Sequence, residues 1–528
     1  MLIVLGINAQ LSNSNRFMSY ANAYLQIPMV MTLTDAAANT AFAPLTPGTS
    51  ADYSCGLKNW YGSIIHSLQV EWNGVTVIQQ TNFQGLYNTF KLMTTLSYND
   101  ILAQGSEIGF YPDDALSVIF KRDAVSVNGR GTCFTQNAMS VPVVSGVDTT
   151  YNTGNIGFFK RQQYINYDPA GLTSPGAQAF SELLTGAACN TAFKSYIFNK
   201  VNGAVGVRGC VQWAINGIVR LKHLHNLFEK MPLLKGVYLK ITLQLNNSSV
   251  NFTSAGVGGN LTVNSVSSAS GGVIPIQIAS AAAGNGSAAC FPNVTLDVSL
   301  SVGATPLLSS QVAASTVSPL GRNITLNVPS FVFSPPFEAA YLSSQVKTID
   351  YEDIYQYQVL NVAAGGIFNN LITNGISDIS KVLVLPYFTT DANGGTNPLY
   401  SPFDAAGTGV TSPLCLLTNF QVVVSGQNAL YNTQKYSYQQ FVEQLSGCNS
   451  VNGDQTDGLT SSLISLLDFE TAYNYYYVDV SRMLEIEKSV PKSVSIQGQN
   501  LSARAIDLIV FIAYKQSLKV DVLSGNRV

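Results

Sequence analysis

The chain is poor in charge. Asp, Glu, Lys and Arg make up 11% of its 528 residues, against about 25% in ordinary globular proteins. Disorder is excluded as the cause, because 46% of the residues are hydrophobic and 10% aromatic, and disordered segments are poor in both. Long apolar runs are missing too: none reaches the ~18 residues that a bilayer crossing needs. The start Met1-Leu-Ile-Val-Leu5 lacks a basic region and is too short for a secretory signal. There is no basic excess either. With 27 basic and 30 acidic side chains, the net charge of −3 gives no electrostatic footprint for nucleic acid. It also leaves little repulsion between copies of the chain.

Histidine is scarce, with His66, His223 and His225 alone. Seven cysteines (Cys55, Cys133, Cys189, Cys210, Cys290, Cys415 and Cys448) are odd in number, widely spaced and free of any CxxC pair. They read as buried reduced thiols from a cytoplasm-like compartment, not as a disulfide ladder. Asn, Ser, Thr, Gln, Gly and Tyr take the place of charge. The resulting surface is polar but weakly charged, which suits burial against copies of the same chain.

Single cores stop growing near ~250–300 residues, so a chain of this length holds at least two domains. The strongest local signals are strands. Residues 24–34 are apolar and β-branched, and residues 67–78 alternate around Asn73-Gly74. Asn-Gly between alternating hydrophobics marks a hairpin, because both turn residues need φ > 0. A helix is predicted over 83–97 from the spacing of Leu86, Phe90, Met93 and Leu96. Strands follow at 115–121, 211–221 and 236–245, with a short helix at 224–231 closed by Pro232.

From about 246 to 320 the composition turns to Ser, Ala, Gly, Asn and Val. This reads as a large insertion of loops and short strands on an exposed surface. Sequons at Asn251, Asn260, Asn285 and Asn293 fall there, at a density that chance explains in so Asn- and Ser-rich a segment. A second strand series then covers 354–362, 381–388, 420–426, 475–480 and 493–497, with a closing pair at 506–514 and 518–523. Helical stretches are expected at 366–373, 437–445 and 461–472. Many short strands in two successive sets point to β-sandwiches, not to parallel α/β units. The halves echo one another: a strand, a turn glycine (Gly74, Gly426) and then a helix. Leu86-Tyr-Asn-Thr89 and Leu430-Tyr-Asn-Thr433 are identical, but lie at different distances from those glycines.

Chemistry is sparse. His223 and His225 on a strand would share a face and supply two metal ligands. No third ligand is near, however, and Lys222 would repel a cation, so a structural pair is the plainer reading. Gly256-Val-Gly-Gly259 and Asn128-Gly-Arg-Gly131 lack the Lys-Ser/Thr of a phosphate loop and read as turns. No Gly-x-Ser-x-Gly elbow is present. Asp113-Asp114 offers a carboxylate pair, but after Pro112 it reads better as a solvated helix N-terminus. The run Tyr473-Asn-Tyr-Tyr-Tyr477 has no basic neighbours for nucleic-acid stacking. It reads as part of an inter-subunit seam, where tyrosine is enriched, with Asp479 and Arg482 as a nearby ion pair.

Four stretches carry a family resemblance. They are residues 69–77 with the Asn73-Gly74 turn leading to Tyr87-Asn-Thr-Phe90, the segment Val219 to Gly236 with its Phe-containing helix, Pro398-Leu-Tyr-Ser-Pro-Phe403 leading into residues 419–426, and the ending from Ala505 to Gly525. In order and character the chain resembles the double-jelly-roll major capsid proteins, the lineage of adenovirus hexon, large icosahedral DNA viruses, virophages and Polinton-like elements. The likeness covers nearly the whole chain apart from about 246–320. It implies an all-β fold of two consecutive eight-stranded jelly-roll sandwiches with short helices and long loop insertions. The expected division is an N-terminal arm at 1–20, a first roll at 21–336 and a second at 337–528.

The resemblance further implies a homotrimer forming a pseudo-hexagonal capsomer of an icosahedral double-stranded DNA virus shell. Its expected partners are neighbouring capsomers, penton and minor capsid proteins, and an internal membrane at the inner face. No catalytic, metal or cofactor site and no sequence-specific nucleic-acid contact is expected, and the location would be the virion. Two other readings stay open. A secreted or viral-spike β-sandwich adhesin would grip glycans with its tyrosines and carry glycan on its sequons. A jelly-roll glycoside hydrolase or lyase would use Asp113 and Asp114.

Overall fold

The computed structural model describes residues 2–6, 16–35, 53–113, 156–161, 163–164, 197–200, 210–255, 260–280, 294–302, 323–390, 397–402, 405–412, 415–431, 435–446, 462–481, 483 and 490–528. The expected strand at 115–121, both glycine turns, Asp114, Arg482, Asn285, Asn293 and Cys133, Cys189, Cys290 and Cys448 lie outside these residues.

The second half shows its topology most plainly. Among the described residues its eight strands are β17 (Val346–Val362), β18 (Ile367–Ile376), β19 (Ile379–Phe388), β20 (Leu417–Val424), β21 (Gln427–Asn428), β22 (Tyr476–Asp479), β23 (Lys492–Asn500) and β24 (Ile506–Asp521). They form two four-stranded antiparallel sheets, ordered β17-β24-β19-β22 and β18-β23-β20-β21. Successive strands thus change sheet at nearly every step, and the last strands slot between the first ones. That is the double Greek key of a jelly roll.

The first half contains β1 (Leu2–Gly6), β2 (Phe17–Met18), β3 (Tyr24–Asp35), β4 (Tyr53–Leu57), β5 (Ile65–Trp72), β6 (Val75–Ile78), β7 (Gln163–Tyr164), β8 (Ile197–Lys200), β9 (Cys210–Arg220), β10 (Leu239–Leu245), β11 (Ser248–Ala255), β12 (Asn260–Ser268), β13 (Ile276–Ser280), β14 (Val294–Val302), β15 (Thr325–Asn327) and β16 (Ser330–Phe331). Its four-stranded sheet runs β1-β10-β5-β6, strand for strand the order of β18-β23-β20-β21. Its larger sheet contains β14-β3-β9, the counterpart of β24-β19-β22. Where β17 flanks β24 in the second half, β11 flanks β14 in the first.

This placement changes the reading of 246–320. The stretch is not merely an exposed insertion. It supplies β11, β12 and β14 to the main sheet, and buries Val250, Phe252, Val298, Leu300 and Val302. The expected arm at 1–20 is likewise engaged: β1 pairs with β10 and β2 with β16.

Local chemistry explains many of these elements. β10 alternates, with Leu239, Ile241, Leu243 and Leu245 buried and the residues between them half-buried, the signature of a strand with one face on the core. The hairpins β5–β6 and β20–β21 turn at Asn73 (φ 47°) and Gly74 (φ 81°), and at Ser425 (φ 49°) and Gly426 (φ 83°). Two successive positive φ values give the turn whose twist matches the flanking strands. A helix follows each hairpin, at Gln84–Thr95 and Tyr438–Ser446. The echo between the halves is therefore one of geometry. The repeated tetrapeptide is not part of it, since Leu86 sits inside a helix while Leu430 precedes one.

Two expectations are overturned. Where a helix is expected over 366–373, the chain forms β18 (Ile367–Ile376), because seven of its residues pair with β23 across the sheet. The closing pair at 506–514 and 518–523 is one 16-residue strand, β24, hydrogen-bonded along its length to β17.

Candidate functional site

The most elaborated region is the seam where the two sandwiches meet. The helix Gln84–Thr95 is wedged there, with Leu86, Tyr87, Asn88, Thr89, Phe90, Leu92 and Met93 all buried. Tyr87 faces Phe511 of β24 with ring centroids 5.5 Å apart. Phe90 meets Tyr475 edge-on at 5.2 Å and stacks on Tyr477 at 5.5 Å. β24 and β19 are buried along most of their length, since one face covers their own core and the other faces the first sandwich. Such two-sided burial produces continuous apolar runs.

The tyrosine run is therefore an internal seam, not one between subunits. Tyr473, Tyr475, Tyr476 and Tyr477 are at most 3% exposed in the single chain. Their hydroxyls are used locally. Tyr473 donates to the Asp113 carbonyl at 2.5 Å and Tyr475 to the Gly409 carbonyl, while Tyr476 accepts from the Leu417 amide at 2.7 Å. Burial pushes all three phenols above their ordinary value. Asp479 accepts from Ser481 at 2.9 Å.

Three polar anchors cross the seam or brace it. Lys58, fully buried, donates from Nζ to the carbonyls of Pro398 and Leu399 at 3.3 Å and of Ala406 at 3.1 Å, so a first-half lysine holds a second-half loop. Arg161 Nη2 lies 2.6 Å from Asp113 Oδ1, both side chains being buried, and also donates to Gln277 Oε1 at 3.0 Å, while Nε donates to the Leu57 carbonyl and Nη1 to the Tyr111 carbonyl. Asp113 is thus neither a solvated helix N-terminus nor half of a free carboxylate pair. Third, Asp353 on β17 accepts from the Ile354 amide, the Tyr514 hydroxyl and the Gln79 amide, and stands 3.6 Å from His225.

The histidine pair is structural. His223 and His225 sit on a helical turn and its cap, not on a strand. His225 Nδ1 accepts from the Leu227 amide, while His223 meets Trp60 edge-on at 6.1 Å. Burial, together with Lys222, Arg220 and Lys91, lowers His223 to about 3. Burial lowers His66 to about 4 and His225 below its ordinary value. All three are neutral at pH 7. Among the described residues, no group of three His, Cys, Asp or Glu could hold a metal ion, and no helix is long and apolar enough to cross a membrane.

Beside the seam lies a cleft of about 970 Å³. Lys222 and Lys230 from the first half face Asp350, Asp378 and Lys515 from the second, and Lys381 pairs with Glu352 at 2.9 Å. In a chain so short of charge this is a local concentration. The C-terminal residues close the opposite side of the junction: Trp72 Nε1 donates to the Gly525 carbonyl at 2.7 Å and Asn73 to the same oxygen at 2.9 Å.

The sequence reading missed Lys58, Arg161 and Asp353. Lys58 is a lone charge, whereas Arg161 follows Lys160 and Asp353 follows Glu352, and nothing local distinguishes a charge that will be buried from one that will be solvated.

No family model and no curated protein sequence matches the chain. Solved structures similar in fold include virus particles and capsid proteins. A cryo-EM structure of the Sputnik virophage aligns over 100% of this chain and 84% of its own, at 12% identity and a TM-score of 0.47. A quasi-atomic model of the PBCV-1 virus capsid aligns over 100% and 96%, at 10% identity and a TM-score of 0.34. The crystal structure of the STIV MCP aligns over 97% and 91%, at 7% identity and 0.28. At such scores the fold assignment rests on the strand order itself.

Proposed function

We propose that the chain is a major capsid protein whose job is mechanical: it trimerises into a pseudo-hexagonal capsomer that tiles an icosahedral shell around double-stranded DNA. The observation that carries this reading is the repeated jelly-roll order in one chain, two sandwiches locked side by side by Lys58, the Phe90–tyrosine stack and the C-terminal docking. Two rolls per chain and three chains give six corners, the footprint that fills a hexagonal lattice. The small net charge and low charged fraction favour the reading as well. Large obligate interfaces exceed ~2,000 Å², and uncharged surfaces spare the cost of desolvating ions.

Neighbouring capsomers, penton and minor capsid proteins and an internal membrane belong to this proposal as partners, and the virion as location. The adhesin alternative loses the tyrosine run as a glycan platform, because Tyr473, Tyr475, Tyr476 and Tyr477 are buried inside the chain.

Light scattering on purified protein tests the reading. A trimer of about 170 kDa, three times 56.5 kDa, is expected, with triangular or hexagonal particles in negative stain. A stable monomer at micromolar concentration overturns it.

A further inference from the structure

The second sandwich has four sheet edges, and three are guarded against adding another strand. β17 carries Lys347, Asp350, Glu352 and Asp353 in its first eight residues, and its register breaks between Val359 and Val362. β21 has two residues and β22 four. Charges and short length are the ordinary means of blocking edge-to-edge pairing. β18 has neither. It is ten residues long, Ile-Phe-Asn-Asn-Leu-Ile-Thr-Asn-Gly-Ile, with no charged residue and no proline. Its only strand neighbour among the described residues is β23. Ile367 is 82% exposed and Leu371 55% exposed.

The regularity of β18 is also uneven. Its pairing with β23 is in unbroken register from Ile367 to Leu371, and then shifts between Leu371 and Thr373 and again before Ile376. Bulges twist an edge out of pairing geometry, so the flat, open stretch is residues 367–371, with Asn369 at its centre.

We propose that this stretch pairs antiparallel with the same stretch of a second copy, about a two-fold axis at Asn369. In that register Ile367 lies opposite Leu371 twice over, and Asn369 lies opposite Asn369. Side chains two apart share a face, so both exposed apolar residues meet a partner on one face. Cross-strand apolar pairs are the contacts that stabilise a sheet. Moving the axis to Leu371 would set Ile367 against Gly375 and lose both pairs. An uncharged edge is complementary to itself, since no like charges are brought together, and the near-neutral chain adds no long-range repulsion. The two four-stranded sheets would join into one of eight strands. A two-fold contact cannot lie within a three-fold ring, so the pairing would link one capsomer to the next, and it extends the assembly reading beyond the trimer.

The test is a cysteine scan of the full-length protein. Opposed residues in an antiparallel pair have Cα atoms about 4.5–5.5 Å apart, within disulfide range. Asn369→Cys should give a reducible dimer of about 113 kDa, twice 56.5 kDa, in higher yield than Ile367→Cys, Leu371→Cys or the fully exposed control Tyr431→Cys. Adding Leu371→Lys, an edge charge on an exposed site, should abolish that dimer. Without an introduced cysteine and under reducing conditions, sedimentation of the parent protein should show association beyond the capsomer that the Leu371→Lys protein lacks. Yield at Asn369→Cys no higher than at Tyr431→Cys, or equal along the strand, overturns the proposal. Light scattering on the reduced samples reports the trimer separately, so a failed capsomer reading and a failed edge pairing are distinguishable.

Discussion

His225 Nε2 stands 3.6 Å from Asp353 Oδ1, with one residue in the first sandwich, the other in the second, and both buried. His225 accepts a backbone hydrogen bond at Nδ1, so in its neutral form the proton sits on Nε2, facing the carboxylate. The contact brings the two sandwiches together without requiring a buried imidazolium.

That arrangement sets a pH dependence. Burial holds His66 at about 4, His223 at about 3 and His225 below its ordinary value, whereas the unfolded chain protonates near 6.5. The unfolded state therefore binds more protons as pH falls below ~6.5, and stability declines through that window toward pH 4. Each histidine steepens the decline by up to about 1.4 kcal/mol per pH unit. Urea midpoints measured from pH 7.5 to 4.5 should fall, and His66→Gln should flatten the slope. A midpoint independent of pH between 6.5 and 4.5 would contradict this account.

Lys58→Met keeps the alkyl stem and removes the ammonium. The carbonyls of Pro398, Leu399 and Ala406 then lose their common donor. The Leu399 carbonyl keeps the Ile274 amide as a donor, but a buried acceptor left without one costs about 1–3 kcal/mol, so a loss of about 1–3 kcal/mol in denaturant unfolding is expected. A loss under about 0.5 kcal/mol would show that the lysine does not hold the loop.

Arg161→Met should cost about 3–5 kcal/mol, because it leaves the Asp113 carboxylate buried without its cation. The double variant Arg161→Met with Asp113→Leu should recover part of that loss, since removing both partners is far less costly than removing one. Additive losses in chemical denaturation would refute the coupling.

Much of the fold could be read locally. Asn73-Gly74 predicts its hairpin because the φ values it needs are intrinsic to those residues, and the helix Gln84–Thr95 shows a spacing that survives folding. Residues 366–373 misled because Ile367, Phe368, Leu371 and Ile372 fit a helical face as well as a strand. Periodicity over so short a run cannot separate the two, and pairing with β23 decided it. The continuity of β24 was hidden by Lys515, Gln516 and Ser517, whose polarity reads as a turn but marks only where the strand leaves the seam and meets solvent.

The sequence by itself determined the class of this protein: scarce charge, two series of strands, turn chemistry at the same place in each half. Tertiary structure alone decided what the side chains do. It put the tyrosine run of 473–477 inside the chain and not at its surface, turned Asp113 from a solvated carboxylate into an ion-paired one, and gave β11 the place beside β14 that β17 holds beside β24. The reason is physical. Backbone conformation is set largely by neighbours in sequence, whereas burial, pairing and charge compensation depend on residues hundreds of positions away, such as Lys58 and Ala406.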